Sequence, residues 1–266
     1  VIVKLCAAIL LIFAFLSVGG NWVVPMNPHS QDLTQSISLP SRENLLGTDS
    51  LGRDILSRVI EGTSSAVSGP LIIAVGSFFI GNILGLISGY YGGRIDNLIM
   101  RWVDLMWSIP NLLVLILVAG TTGAGYWVSV FLLLFLSTPF DTRVVRGAAL
   151  EQVSRPYVEA TKTIGLSDFR IMLKHVWPNV APIAVANAFL VFAAALVSLS
   201  GLSFLGLGAP PGTPNWGLMV AENQGLLLAN PAATLVPAAL IALLALAMTS
   251  VGDWIDDALR GEGNKS

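Results

Sequence analysis

From Leu105 to Phe140 the chain runs 36 residues without a single charge. As one helix this stretch would measure roughly 54 Å at about 1.5 Å per residue, well beyond the roughly 30 Å hydrocarbon core of a bilayer. It therefore has to form two membrane spans, Met100 to Ala119 and Tyr126 to Phe140, divided at the flexible Gly120-Thr121-Thr122-Gly123-Ala124-Gly125 segment. The same ruler gives four more spans. Leu5 to Val24 follows Lys4, Val67 to Tyr90 sits inside 32 uncharged residues (62–93), and Ile183 to Leu205 and Pro231 to Val251 complete the set. Lys4 ahead of an apolar run also fits a signal peptide, but no small-residue cleavage site follows, so the first span reads as an uncleaved helix. The expected fold is an all-α integral membrane protein with six transmembrane helices.

Composition agrees, because 54% of the residues are hydrophobic and 11% charged, against about 25% charged in an average soluble domain. Too few polar groups remain to cover a globular surface, which excludes a water-soluble enzyme. The 14 basic and 16 acidic residues nearly cancel, and no basic stretch is dense enough to follow a phosphate backbone, so nucleic acid is excluded as a partner. Cys6 has no second thiol with which to form a disulfide or a thiolate cluster.

Six spans place both termini on one side. With the termini inside, eleven basic residues fall on inner segments (Lys4, Arg94, Arg101, Arg143, Arg146, Arg155, Lys162, Arg170, Lys174, Arg260 and Lys265), and only Arg42, Arg53 and Arg58 fall outside. This asymmetry predicts cytoplasmic termini. Trp22, Trp102, Trp107, Trp127, Trp216 and Trp254 lie near span ends, where an indole buries its ring and keeps its N–H wet. The expected division is an N-terminal transmembrane helix (1–24), an outer loop with an amphipathic helix (25–65), a five-helix core (66–257) with a cytoplasmic loop (141–177), and a cytoplasmic tail (258–266).

The spans lack mid-bilayer charges, which ion-driven transporters and intramembrane proteases use. Asp104, Asp141, Arg143 and Asp253 fall at predicted span ends and read as interfacial anchors. Asn82 and Asn187 are the main uncharged polar groups within spans; each could line a pathway or bond one helix to another. No lysine follows a glycine, so the chain has no Gly-Lys-Ser/Thr phosphate loop. His29 and His175 are predicted on opposite sides of the membrane, which excludes a metal site built on both.

The cytoplasmic segment from Asp141 to Trp177 carries six of the eleven inner basic residues. Within it, Ser154 can cap a short helix with Pro156 in its first turn and Gly165 ending it in the left-handed conformation. Ser167 or Asp168 can cap a second helix, Phe169 to Val176, stopped by Pro178. The pair would form a knob projecting from the membrane.

Tyr157-Val158-Glu159-Ala160, with Gly165 six positions after Glu159 and His175-Val176-Trp177-Pro178-Asn179 beyond, resembles the EAA motif of permease subunits of binding-protein-dependent ABC importers. Thr161 stands where the family usually has a second alanine. Further motifs, Leu46-Gly47-Thr48-Asp49-Ser50-Leu51-Gly52-Arg53-Asp54, Gly89-Tyr90-Tyr91-Gly92-Gly93, Ser203-Phe204-Leu205-Gly206-Leu207-Gly208 and Pro214-Asn215-Trp216-Gly217, are similar to the second (C-type) permease of the dipeptide/oligopeptide/nickel branch. The resemblance covers about Leu45 to Asp257.

It implies a type I importer permease in a bacterial cytoplasmic membrane. The implied partners are a homologous permease, two ATPase subunits (or one used twice) and an extracytoplasmic solute-binding protein. ATP and Mg would be bound by the ATPase subunits, with no cofactor, metal or catalytic residue in this chain. Tyr157, Glu159, Ala160, Thr161, Gly165 and Asp168 would couple to the ATPase, and Gly47, Thr48, Asp49, Gly52, Arg53 and Asp54 would form an outer-face motif. Di- or oligopeptides are the expected substrates; nickel or another small solute is the alternative within the branch, and a non-transporting scaffold or an intramembrane enzyme lies outside it. Leu51, Ile55, Leu56, Val59 and Ile60 share a helical face, and with Asp49 or Ser50 as cap and Gly62 as stop they predict an amphipathic helix at the outer surface.

Overall fold

A computed structural model describes residues 2–122 and 125–259, and within these residues every regular element is helical. Helices α1 (Ile2–Val23), α2 (Ile55–Tyr91), α3 (Gly93–Ser108), α4 (Asn111–Thr122) and α5 (Tyr126–Val153) precede two short helices, α6 (Pro156–Thr163) and α7 (Asp168–Ile171). A π-helical turn (Met172–Val176) leads into α8 (Trp177–Phe204), followed by α9 (Trp216–Asn223) and α10 (Ala232–Leu259). Five helical stretches are long and apolar enough to cross a membrane, or six if the bent α3–α4 pair is one span. The end of the bundle carrying residues 24–54 is called outer here, after the charge asymmetry.

The third span departs from expectation. Met100 to Ala119 is not one helix: α3 and α4 meet at a 76° bend. Pro110 is the cause. Its ring disfavours the helical region for the residue before it, and Ile109 is extended at φ −104°, ψ 127°. α4 runs on through Gly120, Thr121 and Thr122, the first half of the expected 120–125 turn, and Gly123 and Ala124 of that turn lie outside the described residues. So do Arg260 and Lys265 of the expected 258–266 tail.

Other helices outrun their apolar cores. α5 does not end at Phe140 but continues through Asp141, Arg143 and Arg146 to Val153, which shortens the expected 141–177 loop. The charges are accommodated by partners. Arg146 donates to both carboxylate oxygens of Asp96 at 2.5 and 2.6 Å, and Arg143 pairs with Asp104 at 2.5 Å while lying 4.0 Å from the Trp107 ring centroid.

α2 likewise departs from the predicted amphipathic outer helix. It starts at Ile55 with Asp54 as its cap, accepting from the Ser57 N–H at 2.8 Å, and it runs past Gly62 to Tyr91. Gly62 does not stop the helix; it makes room for a neighbour. A Cβ there would lie 2.9 Å from the Trp216 ring, whose Nε1 donates to the Val59 carbonyl at 2.9 Å.

Two hydrophobic cores hold the bundle. The larger joins α1, α2, α5, α8, α9 and α10 around Phe13, Ile73, Leu196, Trp216 and Leu244. The smaller, at the inner end, packs Leu86 and Tyr90 of α2 against Val145, Val158, Ile171 and Val176. α2 and α5 approach closely because α2 presents glycine. A Cβ on Gly81 would overlap the Asp141 side chain, one on Gly85 would sit 2.7 Å from Val145 Cβ, and one on Gly89 2.7 Å from Ala149 Cβ.

Candidate functional site

The knob forms at the inner end, with revised caps. α6 starts at Pro156 with Arg155 as its cap; Ser154 instead closes α5 and donates its hydroxyl to the Glu151 carbonyl at 2.8 Å. Gly165 has φ +79°, and the Gly165 and Leu166 N–H groups donate to the Lys162 and Thr161 carbonyls at 3.0 and 3.2 Å. This paired turn satisfies the last carbonyls of α6 and needs a left-handed residue, which glycine supplies without steric cost. Pro178 does not stop the second helix. A proline removes an N–H and crowds the carbonyl four residues earlier, and the π turn at Met172–Val176 absorbs that misfit so the helix passes into α8.

Of the expected coupling residues, Glu159 and Ala160 are exposed, as are Ile164 at 74% and Phe169 at 66% exposure in the same knob. Thr161 is turned inward, its hydroxyl donating to the Val158 carbonyl at 2.7 Å, and Val158 is fully buried. Tyr157 bridges the two halves of the knob, donating to Gln152 Oε1 at 3.0 Å and the His175 carbonyl at 3.2 Å. Partial burial raises its pKa against the opposing charge of Arg155, keeping it a donor. Asp168 differs from the others, because its Oδ1 accepts from the Tyr90 hydroxyl at 2.7 Å and so engages this chain's own α2.

At the outer end the Gly47 to Asp54 residues come together as a folded cap. Gly47 and Gly52 have φ +74° and +70°, and a Cβ on either would strike backbone, at Ser38 and Asp32 respectively. Thr48 accepts from the Ser38 N–H at 2.8 Å. Asp49 accepts from the Arg53 backbone N–H and, at 2.7 Å, from Arg53 Nε. Arg53 reaches Glu222 of α9 at 2.8 Å, and Arg58 donates to Glu222 at 3.3 Å and to the Gly212 carbonyl at 3.0 Å. Arg58 is completely buried and Arg53 is 3% exposed, so neither gives this segment the solvated polar side that an amphipathic surface helix requires. Asn230 donates to the carbonyls of Ser38, Leu46 and Thr48. Arg58, Glu222 and Asn230 are the residues that sequence reasoning passed over. Its one available signal was that Glu222 is the sole charge of its loop, opposite the only basic residues assigned to that side.

Asp141 is a correction as well. Expected at an interface, it is 2% exposed within α5 and accepts from Asn187 of α8, because Gly81 lets α5 close on α2. Asn187 thus makes a helix-to-helix bond, while Asn82 donates to the Phe78 carbonyl of its own helix at 2.6 Å. Neither lines the groove of about 590 Å³ between α4, α5 and α8, whose polar lining includes Asn111, Ser137 and Ser198.

Residues 81–261 match the family described as binding-protein-dependent transport system inner membrane component. The chain is 36% identical over 256 residues to the dipeptide transport system permease protein of Haemophilus influenzae, covering 94% of this chain and 87% of that one. It is 36% identical over 214 residues to an oligopeptide transport system permease protein of Lactococcus lactis subsp. cremoris (79% and 72% covered). It is 34% identical over 220 residues to a glutathione transport system permease protein of Pectobacterium atrosepticum (83% and 73%). Among solved structures, an inward-facing form of the MetNI methionine ABC transporter superposes with a TM-score of 0.65 at 20% identity, over 77% of this chain and 97% of that one, a likeness of fold.

Proposed function

Because this chain belongs to the family of binding-protein-dependent transport system inner membrane components, we propose that it is the permease subunit through which an ATP-driven importer moves di- or oligopeptides across a bacterial cytoplasmic membrane. The observation that carries the substrate class is the similarity, at 34 to 36% identity, to relatives named for dipeptides, oligopeptides and glutathione. All three names denote compounds with a peptide backbone.

The knob supports the coupling half of the reading. Its exposed residues, Glu159, Ala160, Ile164 and Phe169, combine a charge with apolar side chains that water alone does not favour. Docked in an ATPase cleft, these residues would receive the movement of the ATPase dimer; Glu159 would make polar contacts, and Gly165 would hold the turn. A homologous permease would complete the pathway, with the α4–α5–α8 groove as this chain's half and Asn111, Ser137 and Ser198 offering hydrogen bonds to a peptide backbone. The outer cap would face the solute-binding protein.

The test is uptake by the whole complex in proteoliposomes, supplied with its binding protein and labelled dipeptides, longer peptides or a nickel chelate. Saturable, ATP-dependent peptide uptake is expected, with no hydrolysis by this subunit alone. Import of nickel and not peptide would replace the substrate assignment. ATP hydrolysis by the isolated chain would remove the permease reading.

A further inference from the structure

α2 is fastened by polar contacts at both ends. At the outer end Asp54 caps it and Arg58, buried completely, bonds to Glu222 and to the Gly212 carbonyl. At the inner end Tyr90, 8% exposed, donates to Asp168 at 2.7 Å, and Lys162 Nζ lies 5.5 Å from the centre of its ring. Lys162 belongs to α6 and Asp168 to α7, so both halves of the knob bear on one side chain of α2. That side chain also shares the inner core with Val158 and Ile171. Between the two ends runs one helix of 37 residues, with Pro70 in its interior, roughly 55 Å long.

A sideways shift of the knob has two outcomes at this contact. Either the Tyr90 to Asp168 bond breaks and the knob moves alone, or the bond holds and α2 moves with it. A hydrogen bond to a carboxylate is among the stronger kinds and resists the first outcome, and a single helix anchored at both ends and seated against α5 at Gly81, Gly85 and Gly89 is a physical route by which the second reaches the far side. We propose that Tyr90 is a positioning residue that passes movement of the coupling knob to α2, which carries it to the outer cap at residues 47–58. This rests on the reading of residues 154–168 as the ATPase docking segment, and it assigns work to a motif, Gly89 to Gly93, that the docking surface itself does not use.

Tyr90→Phe keeps the ring and its packing and removes the bond. In the reconstituted complex with its binding protein, peptide taken up per ATP hydrolysed is expected to fall threefold or more, at unchanged membrane level and unchanged co-purification of the ATPase. A residue that only stabilised the fold would lower those levels and leave the ratio alone. Asp168→Ala should lower the ratio too, and the double variant should lower it no further than the worse single, since both remove one bond. A cysteine at Ser36 on the outer cap, in a Cys6→Ala background, should change its labelling rate on ATP addition in the parent and not in Tyr90→Phe. An unchanged ratio in Tyr90→Phe, additive losses in the double variant, or an ATP-independent labelling rate in the parent would each overturn the relay. Absence of peptide uptake by the parent complex would instead count against the proposed function.

Discussion

Neutralising Glu222 probes the outer charge network most directly. Arg53 and Arg58 face Asp49 and Glu222, two positive charges against two negative, with both guanidiniums almost wholly buried. Glu222→Gln keeps the shape of the side chain and an oxygen that can accept, yet leaves one guanidinium charge without a counter-charge. Breaking a buried pair costs about 3–5 kcal/mol. Glu222 keeps 22% of its side chain exposed, so screening lowers the expected cost to about 2–3 kcal/mol. At about 1.4 kcal/mol per factor of ten, the loop at 206–215 should open roughly 30 to 140 times more often. Ala209, 6% exposed in that loop, reports the opening when replaced by cysteine in a Cys6→Ala background. The rate of modification by an impermeant thiol reagent is measured in that background with and without Glu222→Gln. A rate within threefold of the parent would show that the network does not hold the loop.

Cysteines at Ser36 and Leu228 should react with an impermeant reagent added to intact cells, and one at Ser167 should not; all three positions are exposed, so labelling at 167 would invert the orientation. Gly165→Val should reduce uptake more than Gly165→Asn, because no atom lies within 4 Å of an added Cβ and the cost comes from φ +79° alone, about 1–2 kcal/mol for a residue that tolerates this region poorly; equal uptake in the two variants at equal expression would refute a backbone origin. Gly81→Ala forces α2 from α5 at Asp141 and should cost about 1–3 kcal/mol, read as a lower melting temperature of the purified complex; an unshifted transition would mean that the seam yields.

The spans were legible because lipid imposes one requirement on every residue in turn, and charge-free runs record it directly. Where the ruler failed, other physics was acting. Pro110 broke a run of suitable length through its effect on Ile109, and α5 continued past its apolar part because Asp96 and Asp104 neutralise Arg146 and Arg143. The knob was readable to the degree that its signals are local: Pro156 and Gly165 act within a turn of their own position, whereas the inward carboxylate of Asp168 depends on Tyr90, 78 residues away. The outer cap was the least readable. Its bonds join Arg58 to Gly212 across 154 positions and Asn230 to Ser38 across 192, and no periodicity in either segment announces a partner so distant.

The π turn at Met172–Val176 has a consequence for the angle between the knob and the groove wall. Such a turn contains one residue more than an α-helix of the same rise, and each residue advances an α-helix by roughly 100°. Deleting a single residue from it would leave an ordinary α turn of nearly the same rise, so α8 would keep its phase, with Asn187 still toward Asp141 and Ser198 toward the groove, while the misfit at Pro178 would return to the helix. This five-residue stretch should therefore tolerate the loss of one residue better than the α-helical segment after it, where each residue removed turns the groove wall beyond it by roughly 100°.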